Sequence, residues 1–281
     1  MSLSSNYLDA FYACAQVGHF TRAAERLHIT QSALSQRIKN LADELETSLF
    51  IRDRSGLRLT DAGEALLRYC QTKSSIEDEV VEEIKGAHSA VVSGTLRIGG
   101  FSSVMRSVIM PSLAPLVQKY PEVKLHFHTR ELQELPILLK RGEIDFMVLD
   151  HHSDRSDFET LKLGEEKNVL VEKKNYKGED IYLDHDENDQ TSIRYLQMIG
   201  KKKKPQRQYL DDVYGLIDGA RLGLGKAVVP RHLIKGSKDL VIVSKKNLIF
   251  PVILHYHQQP FYSRLHQTVV STLKAESAKY L

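Results

Sequence analysis

A run of polar residues in one predicted helix has the side chains that could read DNA bases. The segment 31–39 is QSALSQRIK, and a helix turns by about 100° per residue. That rotation places five hydrogen-bonding side chains together on one face, namely Gln31, Ser32, Ser35, Gln36 and Lys39. Amides and hydroxyls both donate and accept hydrogen bonds, as base edges in the major groove require. The carboxylates Asp43, Glu44 and Glu46, which phosphate would repel, come only at the far end of the helix.

The same helix has an apolar face that must pack against other elements. Leu34, Ile38, Leu41 and Leu45 fall within about 60° of one another, and Thr30 is positioned to cap the first turn. Taken alone, the pattern fits a solvated amphipathic helix at least as well, because Ser and Gln are common on surfaces. The neighbouring elements therefore decide the interpretation.

Those neighbours are a short helix before the polar run and a basic hairpin after it. Residues 22–29, RAAERLHI, form a helix that Thr21 could cap, and a tight connection joins it to the next helix, as in a helix-turn-helix unit. Residues 49–60, LFIRDRSGLRLT, place Arg52 and Arg54 beside a Ser-Gly turn between two short extended runs. A tight helix pair followed by an arginine-rich wing favours DNA binding.

A long helix is predicted to follow the wing. Its apolar residues recur at helical spacing and form a narrow seam: Leu66, Cys70, Ile76, Val80, Ile84, Ala87 and Val91. A seam of this length needs a partner surface. It could pack against its own chain, but we favour a dimerising connector.

From residue 94 onward, strands and helices alternate. The segments GTLRIGG, VKLHFHT, DFMVLD and NVLVEKK have the character of strands, and helical segments lie between them. This alternation predicts an α/β region with a mostly parallel sheet. Two α/β lobes are expected, with the chain passing from one to the other near residue 160.

Residues 3–63 resemble the winged helix-turn-helix of LysR-type transcriptional regulators. The similarity rests on LDAFYACAQVGHFTRAAERLHITQSALSQRIKNL, IRDRSGLRLT and DAG, and it continues into GTLRIGG, RGEIDFMVLD and IDGARLGLGKAVVP. The resemblance implies an effector region of two lobes like type 2 periplasmic binding proteins, with a small molecule bound between them. It also implies a homodimer or homotetramer on an interrupted inverted repeat of double-stranded DNA, and contact with RNA polymerase if the protein is an activator.

The expected domains are residues 1–60 for the winged helix-turn-helix, 61–92 for the linker helix and 93–281 for the effector region. The first lobe would comprise 93–160 plus 262–281, and the second 161–261. By resemblance, Ala23, Ala24 and Leu27 pack the motif and Arg37 flanks the DNA. The expected DNA-binding residues are Thr30, Gln31, Ser32, Ser35, Gln36, Lys39, Arg52 and Arg54.

The sequence departs from the family pattern in two places. Glu46 stands where the family often has a glycine that ends the recognition helix. The second lobe is also shorter than usual before IYLD. The shape of the cleft therefore cannot be transferred from better-known members.

Hydroxyl side chains mark the candidate effector site. Ser102 and Ser103 lie where a strand passes into a helix, Thr129 ends the next strand, and Thr191 and Ser192 open a helix in the second lobe. Ligands of such folds bind at carboxyl ends of strands and at helix N-termini, where an anion is favoured. We therefore expect an anionic effector. The alternative for each residue is a plain helix cap.

Composition and motifs argue against several other classes of protein. The chain has 281 residues, a net charge of +3 and two cysteines, so it can form several domains but has no disulfide framework. With no export signal or membrane-spanning stretch in the sequence, we expect a cytoplasmic protein without membrane contact. No catalytic, metal-binding or cofactor motif is complete, and neither an enzyme nor a cofactor is expected. A solute-binding module is the main alternative, followed by an enzyme built on the two-lobed fold.

Overall fold

The computed structural model describes residues 3–53, 56–84, 92–201 and 205–281. The N-terminal elements are α1 (Ser5–Val17), α2 (Phe20–Arg26), α3 (Gln31–Glu44), β1 (Phe50–Asp53), β2 (Gly56–Leu59) and α4 (Asp61–Ile84). Among the helices of these residues, none combines the length and apolar character needed to cross a bilayer.

The remaining elements form the effector region. Its strands are β3 (Gly94–Gly100), β4 (Val123–Thr129), β5 (Phe146–Leu149), β6 (Phe158–Lys173), β7 (Ile181–Asp184), β8 (Gln206–Tyr209), β9 (Lys226–Pro230), β10 (Leu240–Ile242) and β11 (Leu248–His257). Its helices are α5 (Ser102–Val104), α6 (Met110–Lys119), α7 (Leu135–Lys140), α8 (Thr191–Met198), α9 (Val213–Leu222) and α10 (Arg264–Glu276). A π-helical turn, Met105–Ile109, joins α5 to α6.

Helices α1, α2 and α3 pack around small and branched side chains. Leu34 and Ile38 of α3 join Ala23 and Ala24 of α2 in one buried cluster, which confirms the predicted apolar face. The Thr30 hydroxyl accepts a hydrogen bond from the backbone N–H of Ala33 at 3.2 Å, so Thr30 caps α3 as predicted. The predicted capping of α2 by Thr21 is wrong, because the helix already begins at Phe20 after His19.

The end of α3 explains the first departure from the family pattern. Glu46 has a φ of +51°, in the left-handed region that favours glycine. Its N–H bonds the carbonyl of Asp43 at 3.2 Å, and the N–H of Thr47 bonds the carbonyl of Ala42 at 3.0 Å. These two bonds make a Schellman motif, in which glycine is the usual residue at the position of Glu46.

Helix α4 begins directly after the wing and leads toward the effector region. The Thr60 hydroxyl accepts from the N–H of Gly63 at 2.9 Å, in the first turn of α4. Near its beginning, α4 contacts the effector region, since Lys140 bonds Asp61 at 2.9 Å and Gln71 bonds the Gly142 carbonyl at 2.9 Å. The predicted seam beyond Ile84 (Ala87 and Val91) lies outside the described residues.

The apolar seam of α4 divides into two parts. Leu66 and Cys70 are buried against α1 and Leu49. In contrast, Ile76, Val80 and Ile84 are 37%, 47% and 79% exposed. The first part therefore packs against its own chain, whereas the second part still lacks a partner surface in the described structure.

The effector region is built on one mixed sheet of nine strands in the described residues. Its order is β4-β3-β5-β11-β6-β9-β7-β8, with β10 also paired to β6. Neighbouring strands are parallel at both ends of the sheet. In the middle, β6 and β11 run antiparallel to their neighbours. The expectation of a mostly parallel sheet is therefore wrong, because these two long strands cross between the lobes.

Each lobe has its own hydrophobic core. We define lobe 1 as β3, β4, β5, α5, α6, α7 and α10, and lobe 2 as β7, β8, β9, β10, α8 and α9. The crossing strands contribute to both cores, since Leu163 and Leu254 pack into lobe 1 while Val169 and Val171 pack into lobe 2. Residue 160, where the lobe boundary was expected, lies inside β6.

Candidate DNA interface and effector cleft

The polar residues predicted to read DNA do lie together on the outer face of α3. Gln31, Ser32, Gln36 and Lys39 are exposed, and Ser35 is partly buried. The hydroxyls of Thr30 and Ser32 are hydrogen-bonded at 3.0 Å. No acidic residue occurs in the first turn of α3, so its positive end can approach a phosphate.

Part of this face is held in place by a hydrogen-bonded chain. The Gln36 amide donates to Asn40 Oδ1 at 2.7 Å, and the Asn40 amide donates to the Tyr7 hydroxyl at 3.1 Å. Tyr7 belongs to α1, so the Gln36 side chain is oriented by another helix. Such support lowers the entropy that is lost when a side chain engages a base edge.

The wing lies beside the recognition helix. β1 and β2 form an antiparallel hairpin in which Arg52 pairs with Leu57 and Ile51 with Arg58. Phe50 and Leu57 pack against the cluster that contains Leu34 of α3, and this contact fixes the hairpin against that helix. Arg54 and the side chain of Arg52 lie outside the described residues.

The three predicted residues of lobe 1 lie at one edge of the sheet. β3 and β4 are parallel neighbours, and Gly100 at the end of β3 pairs with Thr129 at the end of β4. Ser102 lies two residues after Gly100 and is partly buried, while Thr129 is exposed. Ser103 is buried, and its hydroxyl donates to Glu166 Oε1 at 2.8 Å. Two of the three lobe 1 hydroxyls therefore reach the rim of the cleft.

The two predicted positions of lobe 2 begin α8, but Ser192 is used within the lobe. Its hydroxyl donates to Asp184 Oδ2 at 2.6 Å, and Asp184 also pairs with Arg207 at 2.5 Å in a buried network. The backbone N–H of Thr191 donates to Asp189 at 2.8 Å, and the Thr191 side chain is partly buried. In this structure the Ser192 hydroxyl stabilises the start of α8.

A polar cluster between the lobes was missed in the sequence. We call it the interlobe cluster; it consists of Ser103, Arg106, Ser107, Glu166, Asn168, Tyr214 and His232. Ser107 of lobe 1 and His232 beyond β9 are hydrogen-bonded at 2.8 Å, and the Arg106 guanidinium lies 4.5 Å from the centre of the Tyr214 ring. The sequence signal was a pair of polar residues, Glu166 and Asn168, two positions apart in β6, but the predicted strand began only at Asn168.

Burial dominates the electrostatics of this cluster. It raises the pKa of Glu166 to about 7, although the hydrogen bond from Ser103 and the nearby amide of Asn168 act in the opposite direction. The negative charge of Asp150 raises the same pKa further. Burial also lowers the pKa of His232, which disfavours the charged form of its imidazole.

The two lobes also approach each other farther along the cleft. Burial lowers the pKa of His185 in lobe 2, but its hydrogen bond to Asp189 and the charges of Asp189 and Glu131 raise it overall. Glu131 follows Thr129 on the lobe 1 rim. The negative charge of Glu131 in lobe 1 therefore helps to raise the pKa of His185 in lobe 2.

A separate cavity of about 200 Å³ lies between α4 and lobe 1 rather than between the lobes. Arg68 and Thr72 of α4 line it together with Asp145 and His257 of the effector region. Thr72 bonds Gln259 at 3.0 Å at this junction. The cavity therefore lies beside direct contacts between the linker helix and lobe 1.

Comparison with known protein families assigns both parts of the chain. Residues 5–64 match the bacterial regulatory helix-turn-helix protein, lysR family, and residues 89–278 match the LysR substrate binding domain. The chain belongs to the LysR family. The resemblance seen in the sequence is thereby confirmed, together with an N-terminal helix-turn-helix and a two-lobed α/β effector region.

Curated relatives carry regulator names. The chain is 32% identical over 157 residues to YvbU of Bacillus subtilis, an uncharacterized HTH-type transcriptional regulator, covering 55% of this chain and 53% of that protein. It is 25% identical over 244 residues to the regulator YofA of the same organism, covering 84% of both. In several of these matches, including YvbU, the chain spans about half the length of the relative.

Solved structures share the fold at lower identity. ArgP from Mycobacterium tuberculosis superposes with a TM-score of 0.80 at 22% identity, covering 98% of this chain and 97% of ArgP. LysG from Corynebacterium glutamicum with bound effector Arg gives 0.76 at 17% identity, covering 97% of both chains. CbnR complexed with its target DNA gives 0.56 at 16% identity, covering 97% of this chain and 99% of CbnR.

Proposed function

We propose that the protein is a sequence-specific transcriptional regulator whose DNA binding responds to a small molecule held between its two lobes. The observation that carries this proposal is the exposed polar face of α3, which is free of acidic residues in its first turn and lies beside a basic hairpin. Family membership supports the same function, and its curated relatives are transcriptional regulators rather than enzymes.

Within this proposal, residues 1–60 bind DNA, 61–92 connect and pair subunits, and 93–281 bind the effector. Phosphate contacts from Lys39, Arg52 and Arg54 would position the protein. Base edges would be read from the first part of α3 by Thr30, Gln31, Ser32, Ser35 and Gln36. Contacts of both kinds are needed, because phosphate contacts alone carry no sequence information.

The assembly is proposed to be a homodimer or homotetramer on an interrupted inverted repeat. Its support is the exposed apolar part of α4, at Ile76, Val80 and Ile84. Two such helices would cover each other and place two recognition helices on one DNA molecule, as half-site spacing requires. If the protein activates transcription, RNA polymerase is its further partner, and such a regulator acts in the cytoplasm.

The effector is proposed to bind between the lobes, near Ser102, Ser103, Thr129, Thr191 and Ser192. A bound small molecule would favour one arrangement of the lobes over another and so bias the attached linker helix. Proteins with this fold support the arrangement, since LysG holds Arg and CbnR binds its target DNA.

The proposal is tested by selecting double-stranded DNA from a random pool with the purified full chain at near-physiological salt. Enrichment of an interrupted inverted repeat is expected. Salt must be fixed, because phosphate contacts alone produce salt-dependent affinity without specificity. A pool that stays random, with the protein folded, would refute the proposal and favour a solute-binding module.

A single substitution then tests the assigned face. Ser35→Glu should weaken binding to the selected DNA at least tenfold, because a carboxylate on this face is repelled by phosphate. Ser271→Glu is the matched control, since it introduces the same side chain on the exposed surface of α10. Equal affinity of both variants and the natural protein, with unchanged thermal melting, would show that α3 does not face DNA.

A further inference from the structure

The interlobe cluster contains buried polar atoms that have no partner. In the described residues, Asn168 Nδ2 and the Tyr214 hydroxyl are buried without a hydrogen bond. Asn168 is only 5% exposed, although its amide lies close enough to Glu166 to influence the carboxylate. Buried donors in native proteins are nearly always satisfied, so each exception requires an explanation, and a bound group is one of them. The cluster therefore presents hydrogen-bond donors toward a group that the chain itself does not supply.

Glu166 is a buried carboxylate that lacks a Lys or Arg partner in the described residues. Its side chain is 6% exposed, and in the described residues no Lys or Arg nitrogen lies within 4 Å of it. The nearest basic group is His232, whose Nε2 lies 3.9 Å from Glu166 Oε1. Burial lowers the pKa of this imidazole and so disfavours its charged form, and its Nε2 is already hydrogen-bonded to Ser107. A buried carboxylate without a cation is costly unless a ligand provides one.

Arg106 adds a positive charge at the outer side of the cluster. Its guanidinium stacks on Tyr214, and within the described chain no carboxylate lies within 4 Å of it. Arg106 and Ser107 both belong to the π-helical turn Met105–Ile109, a rare conformation that often occurs at functional sites. The turn brings one basic and one hydroxyl side chain to the surface between the lobes.

We propose that the interlobe cluster binds an amino acid, with the ligand's ammonium group at Glu166 and its carboxylate at Arg106, Tyr214 and Asn168. The α-ammonium and α-carboxylate of an amino acid are separated by one carbon. Glu166 and Asn168 face the same side of β6 about 6.6 Å apart along the strand, so an acceptor and a donor can contact the two ends of one small ligand from the same side. This assignment rests on the proposed function and specifies its effector class.

The assignment changes the expected effector chemistry. A purely anionic effector, as the hydroxyls alone suggested, would place a second negative charge beside Glu166 and Asp150. An amino acid supplies the cation that Glu166 lacks and keeps the anionic group that the donors require.

Ligand entry would require the lobes to part, because the cluster is closed by contacts across the cleft. Ser107 bonds His232, and Arg106 stacks on Tyr214. A bound amino acid would replace or extend these contacts and hold the lobes in one arrangement. This provides the differential interaction that a ligand needs in order to shift a conformational equilibrium.

The test uses the full chain and calorimetric titration with each protein amino acid as the probe. For any amino acid that binds, its decarboxylated amine and its deaminated acid are titrated in parallel. We expect both analogues to bind at least tenfold more weakly, since each leaves one half of the cluster unpaired. Equal binding of either analogue, or no binding by any amino acid, would overturn the assignment.

Two variants locate the site. Glu166→Gln should reduce amino acid affinity at least tenfold, and it should stay folded because it replaces a buried charge by a neutral group of the same size. Glu165→Gln is the matched control, because the neighbouring side chain is exposed and pairs with Lys162. Equal affinities of the two variants would place the ligand elsewhere.

DNA binding, measured on the same preparations, separates this proposal from the proposed function. Specific DNA binding without any amino acid response would overturn the effector class alone. Amino acid binding by a folded protein that selects no DNA would refute the regulatory function and leave this binding site standing.

Discussion

The backbone at the end of α3 allows one substitution to be predicted with its sign and size. Glu46 adopts a φ of +51°. A side chain in the left-handed region costs about 1–2 kcal/mol, and the extra freedom of glycine in the unfolded chain offsets about 0.5–1 kcal/mol. Glu46→Gly should therefore stabilise the N-terminal domain by about 0.5–1 kcal/mol, because the Schellman hydrogen bonds are made by the backbone and are retained.

Hydrogen exchange in the full chain measures this effect locally. The backbone amides of Ile38 and Leu41 lie in the buried part of α3, and their exchange reports the opening of this helix. A gain of about 0.5–1 kcal/mol slows exchange about two- to fivefold, since a tenfold change corresponds to about 1.4 kcal/mol.

Glu44→Gly is the matched control for this prediction. It makes the same chemical change at a residue with helical backbone, where glycine costs about 1 kcal/mol, and exchange should become about fivefold faster. If both variants accelerate exchange, glycine destabilises each position alike and the strain inferred at Glu46 is absent.

Two further predictions concern buried charges in the effector region. Arg207→Met should lower the free energy of unfolding by about 3–5 kcal/mol, because Asp184 is left buried without its partner. Urea denaturation followed by circular dichroism measures this loss. Adding Asp184→Asn to the same variant should recover part of it. Glu166 has a folded-state pKa of about 7 against an ordinary value of 4.5, so the native state binds more protons and stability falls as pH rises from about 4.5 to about 7. Glu166→Gln should flatten this dependence, by on the order of 3 kcal/mol at most. Parallel stability–pH curves for the variant and the natural protein would contradict the assigned pKa.

Local patterns were sufficient to predict the N-terminal domain. The cap at Thr30 and the apolar face of α3 both depend on residues close together in sequence, and the structure confirms them. Thr21 was wrongly assigned as the cap of α2 because a hydroxyl favours caps in general, whereas the helix begins one residue earlier at Phe20, which packs against the buried cluster of the domain. Glu46 shows that the backbone conformation can persist where the preferred residue is absent.

The long strands that cross between the lobes were the main feature that could not be predicted from local sequence patterns. β6 extends over Phe158–Lys173, although the apolar run is clear only from Asn168 onward. Its first part is half covered and has a mixed polar pattern, which resembles a loop in sequence. β8, Gln206–Tyr209, was also missed, because three of its four residues are exposed and none is aliphatic. Pairing with distant strands defines both elements.

The candidate site was predicted only in part, because some of its contacts join residues that are far apart in sequence. Ser102 and Thr129 were placed correctly at one sheet edge, because neighbouring parallel strands end together. Glu166 and His232 are far apart in sequence and meet only through the sheet and the turn after β9. The use of the Ser192 hydroxyl by Asp184 likewise depends on a tertiary contact that no local pattern contains.

The way the chain crosses between the lobes determines the order in which they can form during synthesis. The core of lobe 2 draws on residues from Val169 to Leu240, a continuous stretch. The core of lobe 1 also needs Leu254 of β11 and Leu265, Val269 and Leu273 of α10, which the ribosome adds after the core residues of lobe 2. Lobe 1 begins first in sequence and can be completed only after lobe 2. Until then its first strands remain without their final partners and are open to chaperones or to aggregation.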